Sequence, residues 1–481
     1  VIIYHGSWVE TRPRFFCEGA WNGEFSEGKF DDAAVFMGTG GILHAKGMMF
    51  VTPTHFLDKL YLARTCEWLF VSNSFAFVLA ALKDECDTSY LDYTYDLIDF
   101  HNRGLTSHHT SLPTANRNRI HLYQRCNVLV SRELGINLCP KRATPMAADF
   151  TGYRKLLRES TGTINWNATS DLRKRRYPPV ATVSSGYDST ACAVLAREIG
   201  CKRAVTLITA RRDKTWGDDV DDSGSKIAEV LGQSVTEYDR LGYDMNNFPE
   251  AEFCSCGTGE DINLLPMEES ISGKMVFTGA RGDFVWERLG FTVPWSSIVS
   301  FGTTEFRLRI GYIHMAPCSI GEEFHRTSAR ISNSAEMEQW SGGEFYDRPI
   351  HRRIAEEAGI PREYFGQQKK ATSHNPIWGI SGMSENSSTD FMRYAHTVYR
   401  NRAWLKNTPF LLGNFLYRLN NRGNKLICRI ARVFGLELYL RPLLSCRYLR
   451  RPGIDDLTFH WGQGIIADRY RKTAACIGRK S

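Results

Sequence analysis

The run Val180-Ala181-Thr182-Val183-Ser184-Ser185-Gly186-Tyr187-Asp188-Ser189 joins a short apolar strand to a hydroxyl-rich turn, and a helical pattern over residues 190–199 follows it. A strand that ends in small residues and opens directly into a helix brings backbone N–H groups together on one point, where the helix N-terminus adds partial positive charge. Such a turn suits a phosphate. Ser184, Ser185 and Ser189 add hydroxyl donors, and Gly186 lets an anion approach the backbone. Asp188 would repel that anion unless a cation lay between them, so the turn predicts Mg2+. The spacing departs from the G-x-x-x-x-G-K-[ST] loop, which sets a lysine against the terminal phosphate, and kinase or motor ATPase chemistry is thereby disfavoured. The plain alternative is a Ser-capped strand-to-helix turn without a ligand.

Working outward, apolar runs at 180–183, 204–208 and 235–238 alternate with helical patterns at 190–199 and 222–231, a βαβαβ order that implies a parallel sheet. A further helical stretch over 264–272 leads to Lys274-Met275-Val276-Phe277, which opens into the glycine-rich Thr278-Gly279-Ala280-Arg281-Gly282-Asp283. Two loops thus leave the carboxyl ends of strands, where open parallel sheets bind ligands.

Before this unit, residues 1–148 carry short β-rich runs such as Leu69-Phe70-Val71-Ser72-Asn73-Ser74-Phe75-Ala76-Phe77-Val78 and read as a separate β-rich domain. The charged, Pro-marked stretch Leu172 to Pro179 approaches a new element. Residues 149–400 form the α/β unit, mainly helical beyond about 320, and 401–481 a helical, basic C-terminal extension. Within the extension, residues 411–444 mix apolar side chains with Arg418, Arg422, Lys425, Arg429, Arg432 and Arg441, the composition of an amphipathic membrane-surface helix. Gly423, Gly435 and Pro442 interrupt it, so a packed helical end is the simpler reading.

With 481 residues, 42% of them hydrophobic, the chain can build two or three cored domains. Its formal net charge of +7 gathers toward the C-terminal end, which argues against a general nucleic-acid surface. The 13 cysteines lack C-x-x-C spacing, and Cys254 and Cys256 stand too isolated for zinc, so reduced thiols and a cytoplasmic setting are expected. No run nears the roughly 20 apolar residues that span a bilayer, and no secretory leader is evident. Val1 in place of Met suggests a processed or shortened start.

The 184–189 turn resembles the Ser-Gly-Gly-x-Asp-Ser signature of the PP-loop ATP pyrophosphatases, which cleave ATP between its α and β phosphates, with Ser185 where the first Gly stands. Resemblance over most of residues 180–375 narrows this to the asparagine synthetase-like branch. The segment Asp222-Ser223-Gly224-Ser225-Lys226 to Gly232 looks like that family's capped helix. Residues 278–283 are similar to its Ser-Gly-Glu-Gly-x-Asp-Glu, and Tyr346-Asp347-Arg348-Pro349-Ile350 with Gln367-Gln368-Lys369-Lys370 looks like its helix leading to a catalytic lysine. The resemblance implies that ATP meets Ser184, Ser185, Gly186, Asp188, Ser189 and Gly279, that Asp188 and Asp283 hold one Mg2+, and that Lys369, rather than Lys370, neutralises charge on the adenylate and pyrophosphate. A turn-stabilising Asp283 and a solvated lysine pair are the bland alternatives.

This chain departs from the family at Ala280 and Phe284, where relatives carry acids, and Glu305 is the substitute expected to serve as base, as a distant Glu does in beta-lactam synthetases. Val1 cannot be the N-terminal nucleophilic Cys of a glutaminase, and internal Cys17 reads as a packed thiol. The first domain therefore resembles a degenerate glutaminase, its Val71-Ser72-Asn73-Ser74 loosely matching a strand of relatives, as in beta-lactam synthetases and lasso-peptide cyclases. The expected partners are a small-molecule or peptide carboxylate and an amine donor or ammonia, with homodimerisation an option and no nucleic acid. Two rivals stand beside this ligase: a non-catalytic descendant that binds nucleotide or a partner, motivated by Ala280 and Phe284, and a tRNA-thiolating enzyme, which would want a cysteine pair the chain lacks.

Overall fold

In the computed structural model, the described residues are 2–90, 93–102, 107–208, 222–257, 259–288, 302–342, 347–367, 383–401 and 454–478. The N-terminal part is built from strands β1 (Glu10–Thr11), β2 (Phe15–Trp21), β3 (Phe36–His44), β4 (Gly47–Val51), β5 (Leu60–Arg64), β6 (Leu69–Ser72), β7 (His109–Pro113), β8 (Arg119–Tyr123), β9 (Cys126–Ser131) and β10 (Ile136–Pro140). They form two antiparallel sheets, β1-β2-β3-β4-β9-β10 and β6-β5-β8-β7. Alternation decides the layering. Leu60, Leu62 and Tyr123 of the second sheet share a core with Cys126, Val128 and Val130 of the first. Residues on the other face of the second sheet, Ala63, Leu112, Ile120 and Leu122, bury against helices α1 (Phe75–Leu82) and α2 (Tyr93–Asn102).

The β-rich expectation for 69–78 fails halfway. β6 ends at Ser72, and Ser74 caps α1 by accepting a hydrogen bond from the Phe77 N–H at 2.9 Å, so the apolar run continues as helix.

Helix α3 (Phe150–Ala168), capped by Asp149, packs on β2 and leads to the parallel sheet. There β11 (Pro179–Thr182), β12 (Arg203–Leu207), β13 (Ser234–Tyr238), β14 (Met275–Phe277) and β15 (Ile313–Met315) lie in the order β13-β12-β11-β14-β15, all parallel. Both faces are buried: Ala181, Met275 and Phe277 enter one core, while Val180, Val205 and Val276 enter the other. The connections carry α4 (Tyr187–Glu198), α5 (Ser225–Val230), α6 (Ala251–Cys254), α7 (Glu268–Ile271), α8 (Gly282–Val285) and α9 (Thr304–Ile310). The helical stretch expected over 264–272 is a 3-10 segment, Glu260–Met267, running into α7, because Pro266 interrupts the regular hydrogen bonding. The chain lays down β11, β12 and β13 outward, then returns to place β14 against the other edge of β11. The strand order therefore reverses between β11 and β14, and a crevice opens at their carboxyl ends.

Beyond β15 come α10 (His325–Ser332), α11 (Pro349–Glu357), α12 (Glu385–Asn401) and α13 (Ile454–Gly478). Helix α13 packs between the two halves of the molecule. Phe459 and Tyr470 meet Phe75 and Phe77 of α1, while Gln463 donates to the Ser255 carbonyl and Arg469 pairs with Glu252 of α6 at 2.9 Å. The basic run 411–444 lies outside the described residues. Among the described residues no helix is long and apolar enough to cross a membrane.

Candidate functional site

The two loops singled out in the sequence flank the reversal in strand order: residues 184–189 follow β11 and residues 278–283 follow β14. In the first, Ser189 Oγ lies 2.8 Å from Ser184 Oγ and accepts from the Ser184 N–H at 3.1 Å, while Gly186 N–H donates to Ser184 Oγ at 3.2 Å. The hydroxyls thus fold the turn on itself and aim it at the N-terminus of α4, where the cap residue Gly186 supplies no side-chain acceptor. Ser185 turns toward another loop. Its hydroxyl donates to Asp222 Oδ1 at 2.5 Å and its N–H to the Asp222 carbonyl at 3.1 Å. Asp222 was expected to start a helix; the helix begins at Ser225, and Asp222 braces the turn instead.

Gly279 and Gly282 rest directly on Asp188. A Cβ on Gly282 would lie 2.5 Å from Asp188 Oδ1, and one on Gly279 would lie 2.6 Å from the Ser189 nitrogen and 2.7 Å from Asp188 Cβ. Only glycine allows this approach. Between them Arg281 takes φ 73°, a left-handed conformation costly to a side-chain-bearing residue. It is held by a 3.0 Å ion pair to buried Glu322 and by the Phe284 ring, 3.9 Å from its guanidinium carbon. Phe284 is thus a packing partner of Arg281.

Asp188 is met by a residue the sequence reading missed. His351 of α11 is fully buried, with Nε2 2.6 Å from Asp188 Oδ1 and its ring 4.8 Å from that of Trp286. Burial lowers its pKa against the opposing pull of Asp188 and Asp283, so the imidazole is neutral. Asp188 and Asp283 both bear electrostatically on buried His351 and on buried Cys318. Two carboxylates are a partial ligand set: among the described residues no group of three or more His, Cys, Asp or Glu converges on a metal position. Such a pair fits Mg2+, which commonly takes one or two protein carboxylates and completes its shell with phosphate oxygens and water.

Lys369 lies outside the described residues, as do Lys370 and Tyr346. The chain ahead of Lys369 is tied to the first loop: the Gly366 N–H donates to the Ser185 carbonyl at 2.8 Å, and Arg362 donates to the Tyr187 hydroxyl at 2.7 Å.

Glu305 bonds elsewhere. Its carboxyl accepts from Ser74 Oγ at 2.5 Å and from the Tyr470 hydroxyl at 2.9 Å, so it joins α9 to α1 and α13. Burial raises its pKa to about 7 against those two hydrogen bonds. A charged layer continues beside it: Arg307 pairs with Glu18 and, at 3.4 Å, with Asp58, whose carboxylate also accepts from Thr304 Oγ1 at 2.7 Å. Burial works to raise Asp58, but Arg307, His55 and Thr304 outweigh it and hold it at about 2. His314, lowered to about 4 by burial, lies 2.7 Å from Thr278 Oγ1 and carries this layer to the second loop.

Cys17 behaves as expected for a packed thiol. It is 1% exposed and burial pushes it up to about 12. The ten cysteines whose side chains are described are free thiols. Asn73 donates to Glu18 and Thr39, so the 71–74 segment faces the charged layer. The chain matches no protein-family model, and no curated protein matches it.

Proposed function

We propose that this chain is an ATP-dependent ligase of the asparagine synthetase type, which adenylates a carboxylate and passes the acyl group to an amine or ammonia. The observation that carries the reading is the packing of Gly279 and Gly282 onto Asp188, which unites two loops at the reversal of a parallel sheet. The five-stranded order and the two antiparallel sheets accord with a PP-loop unit behind a degenerate glutaminase domain.

The Ser184, Ser185 and Ser189 hydroxyls and the N-terminus of α4 would bind the pyrophosphate half of ATP, with Gly279 closing the crevice. Asp188 and Asp283 are the residues that would hold Mg2+, which when bound offsets phosphate charge. A substrate carboxylate then attacks the α-phosphorus, pyrophosphate departs, and an amine captures the acyl-adenylate and expels AMP. Lys369 would neutralise the developing charge. Glu305 takes its hydrogen bonds from Ser74 and Tyr470, so its support as the base is weaker than its support as a joint between three helices.

A second reading is favoured by the 2.6 Å approach of His351 to Asp188. A neutral imidazole against the metal-holding carboxylate suits a descendant that binds nucleotide without turning it over.

Pyrophosphate release from ATP with Mg2+, screened against pooled carboxylates with ammonia, glutamine and amines, separates the two. Release that falls by roughly a hundredfold or more in Asp188→Ala supports the ligase. Near-normal release in that variant refutes it, and ATP binding without release across the screen favours the non-catalytic reading.

A further inference from the structure

On the second antiparallel sheet, His109 of β7 and His121 of β8 bring ring nitrogens together: His109 Nε2 lies 2.9 Å from His121 Nδ1, with the rings stacked at 16°. The register explains the meeting. His109 pairs with Tyr123 and Ser111 with His121, so the histidines are diagonal neighbours on one face of adjacent strands. The Tyr123 ring, 4.9 Å from that of His109, backs the pair, and His109 is exposed, so an ion from solvent can reach it.

We propose that His109 and His121 form a bidentate site for a divalent transition-metal ion of the copper(II) or nickel(II) class. Imidazole nitrogens about 2.05 Å from a shared ion are separated by about 2.9–3.3 Å, and the hydrogen-bonded pair already holds its nitrogens at the near end of that range. Among divalent first-row ions a nitrogen pair favours copper(II), with nickel(II) next below it. One ring nitrogen of the hydrogen-bonded pair accepts from the other, so a lone pair already faces the contact. Arg119 is the positive group that faces the pair, and its guanidinium is engaged by the hydroxyl and carbonyl of Ser111. Binding would replace one N–H···N hydrogen bond with two metal–nitrogen bonds, the donating imidazole shifting its proton to its other nitrogen. The remaining coordination positions go to water or to an external ligand. The site owes nothing to the ligase reading.

The test uses untagged, chelator-treated full chain titrated by calorimetry with copper(II), nickel(II) and zinc(II), together with electron paramagnetic resonance of the copper form. The expected result is one saturable equivalent, copper bound more tightly than nickel or zinc, and a copper spectrum with two nitrogen donors. His121→Ala should weaken binding by about tenfold or more, and a His109→Asn/His121→Asn double variant with unchanged thermal midpoint should lose the site. Undiminished copper binding or an unchanged nitrogen count in the double variant overturns the proposal, as does the absence of saturable binding in the wild-type chain. Should the double variant misfold, the copper spectrum and the metal-induced rise in wild-type melting temperature decide the matter alone.

Discussion

Replacing Glu305 with Gln should change the dependence of stability on pH in a defined direction. Its carboxyl is buried and bonded to Ser74 and Tyr470, and burial lifts its pKa from the ordinary 4.5 to about 7. A carboxyl raised in the folded state binds a proton more tightly there than in the unfolded chain. Its stabilising contribution is complete below about pH 4.5 and is lost as the pH rises through 7. At roughly 1.4 kcal/mol per pH unit, the gap corresponds to about 3 kcal/mol lost across that window. Gln keeps an acceptor oxygen for one hydroxyl, donates an N–H to the oxygen of the other, and carries no charge. Glu305→Gln should therefore match the wild type near pH 4.5 and exceed it by up to about 3 kcal/mol near pH 8. The groups that bear on the result are Glu252, which reinforces the shift, and Arg307, which opposes it. Urea denaturation of both proteins from pH 4.5 to 8.5, followed by fluorescence, reads the difference. A difference that stays flat with pH, or a wild type that gains on the variant as pH rises, refutes the reasoning.

Gly282→Ala would push a methyl group to 2.5 Å from Asp188 Oδ1; pyrophosphate release should fall by roughly tenfold or more while the unfolding midpoint moves little, and unchanged release would separate this loop from the chemistry. Arg307→Ala leaves Asp58, 3% exposed, and Glu18, 11% exposed, without their shared cation, so a loss of about 3–5 kcal/mol is expected in denaturant titration. Cys17→Ala should cost about 1 kcal/mol or less of stability and leave pyrophosphate release unchanged, because burial holds the thiol protonated. Loss of activity in a stably folded Cys17→Ala protein would return that thiol to the site.

Local chemistry accounts for the parts of the fold that were legible in the chain. Residues 180–183, 204–208 and 274–277 declare strands because both faces of the parallel sheet are buried there and leave apolar runs, while 235–238 is the more exposed edge strand, and all four strands form at those places. The Ser184–Asp188 and Gly279–Asp283 turns were readable because glycine, hydroxyl and carboxylate residues that end an apolar run mark a turn. The break of 69–78 into strand and helix was legible only through Ser74, whose capping bond outweighs the β-forming residues around it.

Tertiary placement decided the rest. Nothing in the spacing of residues 188 and 282 says that one carbon would rest on the other; that follows from β14 pairing with β11 rather than extending the sheet beyond β13. His351 is an ordinary position on an amphipathic helix until α11 packs on α4 and presses it against Asp188. Glu305, expected as the base, meets Tyr470 because α13 arrives from the far end of the chain. Hydrophobic periodicity and turn chemistry act over a few residues and are written locally. Which buried charge meets which depends on sheet order and helix docking between segments more than a hundred residues apart, and those are selected by the packing of the whole core.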